Sequence, residues 1–297
     1  MNFSPRLRAV LQALLVTFLW STSWVLIKLY IDDIPPLLFA GLRYFIAFLL
    51  LLPGLWKFKA EVRRLSSKQW GQLIALGLVF YTLTQGGQFI TLKYLKAMTF
   101  NILLNFSALL VAVLGIIFLK EKLTGSQWLG MFTFIFGIIT YFSLPVLSGG
   151  NLIGYTMAGI TVIANGVASI LGRSVNRDRQ ISPMVVTVTS MGVGAVVLLG
   201  GGLIFQRLPP LSITIWGAIL WLAVVNTAFA FYLWNKTLQT LTALESSIIN
   251  STMLIQIAVL AWIFLGERIT PRGIIGLAAA AVGVFLVNWR KPDRRVN

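Results

Sequence analysis

Arg43 lies near the middle of a long apolar stretch, and no carboxylate in the chain falls at a matching position. Asp32 and Asp33 precede that stretch, and the glutamates sit at the ends of apolar stretches or between them. A charge held inside a membrane costs at least about 2.5–3.5 kcal/mol, so it needs partners: backbone carbonyls, water in a cavity, or the carboxylate of a bound molecule. The plainer alternative is that Arg43 snorkels toward Asp32 or Asp33 and anchors its helix. Other polar groups recur at helical spacing. Tyr81, Thr84, Gln85 and Gln88 share one face, and Trp20/Trp24, Asn101/Asn105 and Asn165/Ser169 are each four apart. Asn226, Trp234, Asn250 and Gln256 complete the set. These groups recognise a molecule rather than make or break its bonds. The chain has no histidine, no cysteine and only eight acidic residues, which nearly excludes a zinc or iron site and removes thiolate chemistry. Clustered carboxylates for general-base work are also missing. The expectation is therefore no enzyme activity, no cofactor and no metal. The expected substrate-binding set is Trp20, Trp24, Arg43, Tyr81, Gln85, Gln88, Asn101, Asn105, Asn165, Asn226 and Gln256. The competing reading of each amide is an interhelical hydrogen bond, worth about 0.6 kcal/mol. Glu245 opens a helix, where the dipole favours a carboxylate, and is the one plausible proton carrier close to the repeat interface. With no acid near mid-depth, facilitated diffusion or a weakly coupled antiporter is favoured over a tightly proton-driven pump.

The elements that position these groups follow from composition. The chain is 58% hydrophobic and 11% charged, where a soluble domain carries about 25% charged residues. Ten apolar stretches reach spanning length: roughly 9–29, 36–56, 70–91, 97–118, 127–146, 153–173, 184–205, 214–235, 243–264 and 272–290. Pro35-Pro36, Pro183 and Pro209-Pro210 fall in the connections. No short h-region with a cleavage site opens the chain, so the first stretch reads as a retained helix. With the N-terminus inside, seventeen Lys and Arg lie in inside segments and five in outside loops. That is a positive-inside bias, with both termini cytoplasmic and the bacterial inner membrane the expected location. The net charge of +16 then marks topology and anionic lipid, not nucleic acid. Trp56, Trp70, Trp128, Trp216 and Trp289 read as interfacial anchors.

A repeat at an offset of 146 residues organises the ten stretches. Residues 70–141 match 216–287 at 19 of 72 positions, against roughly six or seven by chance. Phe118-Leu119-Lys120-Glu121 recurs as Phe264-Leu265-Gly266-Glu267, and Gly130 and Gly137 recur as Gly276 and Gly283. The shift is five spans. Five is odd, so the copies are inserted upside down relative to each other. The expected fold is an all-α integral membrane protein of ten transmembrane helices. Two inverted five-helix repeats, 1–148 and 149–297, would surround a central cavity, the architecture of secondary transporters. Glu121 and Glu267 read as holders of helix ends. The four glycines read as a packing or dimer seam in a monomer or weak homodimer. Gly86-Gly87 and Gly192-x-Gly194 read as bending points. A channel is disfavoured, since no ring of charges or filter-like loop is present.

The chain resembles the drug/metabolite transporter superfamily, and in particular its EamA-like ten-helix members. The residues that carry the likeness are Leu19-Trp20-Ser21-Thr22-Ser23-Trp24, Lys28, Pro35-Pro36, Leu42-Arg43-Tyr44 and the paired glutamate endings, each followed nine residues later by glycine. Helices six and seven depart from the opening pattern, with no Trp-Ser-x-x-Trp and no intramembrane arginine. The resemblance implies export of small organic molecules, most readily amino acids or related metabolites, with toxic organic cations as the alternative. A membrane-embedded enzyme acting on lipid-linked substrates is the reading from another class. The expected partners are a small-molecule substrate and the lipid bilayer.

Overall fold

The structure, a computed structural model, describes residues 4–107, 109–110, 125–141, 151–177, 180–241, 246 and 249–288. Those residues form helices and connections, with no strand among them. Glu121, Glu245 and Trp289, each singled out above, lie outside the described residues.

We number the helical segments α1 (Pro5–Tyr30), α2 (Pro36–Arg64), α3 (Ser67–Tyr94), α4 (Ala97–Leu104), α5 (Gly125–Tyr141), α6 (Leu152–Arg177), α7 (Pro183–Phe205), α8 (Ile213–Thr237), α9 (Met253–Leu265) and α10 (Pro271–Asn288). Six of them, α1, α2, α3, α6, α7 and α8, are long and apolar enough to cross a membrane. Their starts follow local chemistry. Ser4, Ser66, Ser182 and Ser212 each accept a hydrogen bond from a backbone N–H of the first turn, and Ser66 with Gln69 completes a capping box. Proline opens α1, α2, α7 and α10, where its missing N–H costs nothing. α9 ends on Gly266, whose left-handed φ of 63° turns the chain back on itself. α2 runs past the expected end near residue 56. It continues through a 3₁₀ stretch, Leu52–Phe58, into a short helical extension, Lys59–Arg64.

The lipid-facing surface is apolar, as the composition requires. Leu7, Leu11, Leu14, Leu15 and Phe18 are all exposed along α1, as are Leu129, Phe132 and Phe136 along α5. Trp56, Trp70 and Trp128 are exposed near helix ends, the position of interfacial anchors. The largest core cluster joins α1, α2, α3, α4, α6, α7, α8 and α9 around Trp24, Phe39, Tyr44, Tyr81, Phe89 and Phe231.

Two tight helix pairs frame this core. α2 and α7 approach so closely that a Cβ on Gly41 would lie 2.6 Å from Leu199 Cα, and one on Gly202 3.0 Å from Leu38 N. Each helix of this pair caps the other. Gln206, just past α7, accepts hydrogen bonds from Leu37 N (3.1 Å) and Leu38 N (3.2 Å) at the start of α2. Glu61, in the extension of α2, accepts one from Ser182 N (2.5 Å) at the start of α7. The orphan N–H groups of both helices are thus satisfied at opposite ends of the pair. α5 and α10 form the second pair through Gly130, Gly137, Gly276 and Gly283. The glycine repeat is therefore an intramolecular seam.

The expected bending points are corrected. A Cβ on Gly86 would lie 2.6 Å from Leu198 Cδ2, on Gly87 2.3 Å from Thr161 Oγ1, and on Gly194 2.3 Å from Tyr81 Cβ. These glycines admit neighbouring helices. The departures from α-geometry are π-helical turns at Gly77–Gln85 in α3, directly before Gly86, and at Val224–Phe229 in α8.

Candidate functional site

Five of the expected binding residues converge where α1, α2, α3 and α8 meet. Arg43 is 2% exposed. Its Nε donates to Thr227 Oγ1 (2.6 Å) and its Nη2 to Asn226 O (3.2 Å), both in the π-helical turn of α8. Its guanidinium carbon lies 5.2 Å from the Tyr44 ring centre and 5.9 Å from that of Phe89, which adds a cation–π contribution on two sides. The outward path toward Asp32 or Asp33 is not taken, and the physical reason is supply. The wide turn of α8 presents a backbone carbonyl and a hydroxyl at the depth of the charge, so the side chain has no need to reach for water.

Around this charge the aromatic rings form a continuous cluster. Tyr44 packs edge-on against Tyr81 at 5.6 Å, Tyr81 meets Phe231 at 5.4 Å, and Phe231 meets Trp20 at 4.9 Å. Trp234 closes on the far face of Trp20 at 5.1 Å. Gln85, half-buried, accepts the Tyr44 hydroxyl proton at 2.7 Å. Asn226 is fully buried and ties α8 to α1 through Leu19 O and Thr22 Oγ1. Three buried polar atoms in this region have no hydrogen-bond partner among the described residues: Arg43 Nη1, Trp20 Nε1 and Asn226 Oδ1. Each such group costs about 1–3 kcal/mol unless something pairs with it; three more, Thr91 Oγ1, Asn176 Oδ1 and Ser246 Oγ, lie outside this cluster.

The other expected residues are placed differently. Trp24 stacks on Phe100 of α4 at 4.9 Å. Gln88 is buried on α3. Asn101 donates to Leu254 O of α9 (2.9 Å), and Asn105 donates to Asn101 O within α4 (2.8 Å). Asn165 of α6 donates to Ser107 Oγ (2.9 Å). Gln256 accepts from Ser21 Oγ (2.8 Å) and donates to Thr252 Oγ1 (3.1 Å), stitching α9 to α1. Asn101, Asn165 and Gln256 thus act as hydrogen-bonding bridges between helices. Lys28 tethers α1 to α3 through Leu92 O (2.6 Å).

Sequence reasoning missed Tyr44, Thr227 and Phe231, which complete the cluster. It also missed a buried amide network in which Asn176 of α6 donates to Asn235 Oδ1 (3.1 Å) and Asn235 donates to Thr187 Oγ1 of α7 (2.8 Å). A usable signal existed for Asn235, a polar amide at the end of the 214–235 apolar stretch.

Glu267 holds a helix end, as expected. Its two carboxylate oxygens accept from Ala97 N (2.8 Å) and Met98 N (3.1 Å), closing the N-terminus of α4. A carboxylate there gains both from the orphan N–H groups and from the helix dipole. Glu267→Ala is expected to destabilise the protein by about 1–2 kcal/mol, read as a lower thermal midpoint in detergent. Glu267→Gln should retain part of that stability.

Comparison with known proteins agrees with this architecture. The EamA-like transporter family pattern matches twice, over residues 7–143 and 152–289. The uncharacterized transporter YoaV of Bacillus subtilis is 26% identical over 299 residues, covering 97% of this chain and 99% of that protein. An uncharacterized transporter of Archaeoglobus fulgidus is 23% identical, covering 94% and 97%. A protein of Chlamydia muridarum named as an S-adenosylmethionine/S-adenosylhomocysteine transporter is 23% identical, covering 94% and 91%. A solved crystal structure shares the fold with a TM-score of 0.69 at 18% identity, covering 94% of this chain and 96% of that one. Membrane-spanning helices, in a sequence whose two stretches both match one transport family, lead to one conclusion: the chain is a multi-pass membrane transporter, not an enzyme, and belongs to the EamA-like transporter family of the drug/metabolite transporter superfamily.

Proposed function

We propose that this protein exports amino acids or closely related metabolites by alternating access between two inverted five-helix halves, residues 1–148 and 149–297. The observation that carries the substrate class is Arg43 Nη1. It is a buried cationic donor with no partner among the described residues, in the same cluster as an unpartnered amide oxygen on Asn226 and several aromatic rings. A carboxylate fits the guanidinium, an ammonium or N–H fits Asn226 Oδ1, and an apolar body fits Trp20, Tyr81 and Phe231. Gln85 and Trp20 Nε1 supply further polar contacts from α3 and α1. Trp24, Gln88, Asn101, Asn105, Asn165 and Gln256 line or brace the route in the same scheme. One relative's name joins it to S-adenosylmethionine and S-adenosylhomocysteine, molecules that carry an α-amino and an α-carboxylate group.

Several features support the inverted halves: the 146-residue repeat, the two family matches and the mutual capping of α2 and α7 at opposite ends. In this scheme the protein lies in the bacterial inner membrane with both termini cytoplasmic, and acts as a monomer or weak homodimer. Glu245 is the proposed proton carrier. Efflux of toxic organic cations is a second reading, favoured by the aromatic cluster alone, and Arg43 opposes it by charge.

The experiment is counterflow of a radiolabelled amino-acid panel into liposomes holding the purified protein, with and without a pH gradient. Saturable exchange of one or more amino acids is expected. Exchange of aromatic cations with none of any amino acid would overturn the substrate assignment.

A further inference from the structure

α3 and α8 each leave the α-helical register once, at Gly77–Gln85 and Val224–Phe229. Subtracting the 146-residue offset of the sequence repeat from 224–229 gives 78–83, which falls inside the first segment. π-helical turns are rare and gather at functional sites, because each holds a surplus residue that the helix can absorb or release. The same device holds each wide turn. Thr84 Oγ1 donates to Val79 O (3.0 Å) and Thr227 Oγ1 to Leu222 O (2.8 Å), in both cases five residues back.

Both turns dock on the α2/α7 pair, but unequally. The α3 turn rests on α7 through close backbone approach and neutral hydrogen bonds at Thr82 and between Tyr81 and Ser190, and on α2 through the neutral bond from the Tyr44 hydroxyl to Gln85 (2.7 Å). A Cβ on Gly77 would lie 2.5 Å from Ser190 O, and Thr82 Oγ1 reaches Gly194 O at 3.4 Å. The α8 turn is gripped by Arg43 through two charge-assisted hydrogen bonds, roughly twice as strong as neutral ones. α2 and α7 are fastened to each other at both ends, so they form the fixed frame against which the turns can move.

We propose that the paired π-helical turns are the two bending elements of the transport cycle, and that Arg43 is a positioning residue whose grip on Thr227 and Asn226 sets the resting state. Conversion of the α8 turn to α-register removes one residue from it. The distal part of α8 then rotates by about 100° and shifts by about 1.5 Å. Phe231 and Trp234 swing away from Trp20, and the α1–α8 seam opens at the end where Gln12 and Thr240 line a common cavity. The inference builds on the transporter reading of the cluster but does not depend on which substrate is carried.

The absence of cysteine makes the test direct. Gln12→Cys and Thr240→Cys carry spin labels in the full-length protein in lipid nanodiscs, and electron–electron resonance reads the distance between them. Thr227→Val keeps the side-chain shape and removes both the acceptor of Arg43 Nε and the bond to Leu222 O that holds the turn. It is expected to move the population toward the longer distance by at least about tenfold, as fits loss of one hydrogen bond to a charge and one neutral bond. Thr82→Val, at the weaker turn, should move it less than threefold. Deletion of Val225, which heals the wide turn, should leave the long distance alone. An unchanged distribution in Thr227→Val, or equal shifts in the two threonine variants, would overturn the latch. Wild-type distances in the Val225 deletion would overturn the bending role. Should that deletion fail to fold, the Thr227 and Thr82 pair decides the question. These readouts need no substrate, so absent transport in the wild type would count against the transporter scheme and leave the latch standing or falling on the distances.

Discussion

Arg43→Gln should lower counterflow of a carboxylate-bearing substrate at least tenfold, while Arg43→Lys retains more of it. A neutral amide cannot pair with the substrate's carboxylate, and hydrogen bonds to a charged group are worth about 1.5–3 kcal/mol, or about one to two powers of ten. Glutamine is also too short to span from α2 to both Thr227 Oγ1 and Asn226 O, which Arg43 holds at 2.6 and 3.2 Å. Lysine keeps the charge but presents a single point in place of a planar fork. The check is exchange of the best substrate from the panel, measured beside thermal midpoints. Flux at the wild-type rate in Arg43→Gln would remove Arg43 from the substrate path and leave it a purely structural brace. If Arg43→Gln and Arg43→Lys lose flux equally and both keep their thermal midpoints, geometry rather than charge carries the contact.

The second large effect is on stability. Gly283→Leu and Gly137→Leu should abolish recovery of folded protein, and Gly283→Ala should lower stability by about 1–3 kcal/mol. A Cβ on Gly137 would lie 2.4 Å from Ala280 N, and one on Gly283 2.4 Å from Phe134 N. The obstructing atoms are backbone, so no side chain can swing aside. Inside a bilayer the helices gain nothing from apolar burial as such, and their association rests on close fit. α5 and α10 must therefore separate to admit any side chain. Gly159→Ala and Gly217→Ala are the controls. Nothing stands within 4 Å of a Cβ at either position, and alanine there should stabilise the helix by up to about 1 kcal/mol. The measurement is the thermal midpoint by size-exclusion chromatography of heated, detergent-solubilised protein. Equal losses at Gly283 and Gly159 would mean that helix propensity, not the seam, sets the outcome.

The sequence by itself determined that the chain is all-helical with long apolar spans, and the pairing partners in the seam. Helix starts, spans and lipid-facing surfaces depend on local hydropathy and capping, both of which can be read within about twenty residues. The seam was legible because Gly130, Gly137, Gly276 and Gly283 repeat at one offset, and close packing demands small residues wherever it occurs. Arg43, Tyr81, Gln85, Asn226 and Trp20 were legible as polar or aromatic groups in mid-span, which lipid does not tolerate unpartnered. Only the tertiary structure decided which polar groups gather at the cluster and which bridge helices elsewhere. Asn165, Asn226 and Gln256 are all mid-span amides, yet only Asn226 joins the Arg43 cluster. The choice rests on contacts such as Arg43 to Thr227, 184 residues apart, which no local pattern encodes. The π-helical turns escaped sequence reading for the same reason. An α-period applied to Tyr81, Thr84, Gln85 and Gln88 assumes a register that docking on α7 overrides, and the register of a helix in a packed core is settled by its neighbours.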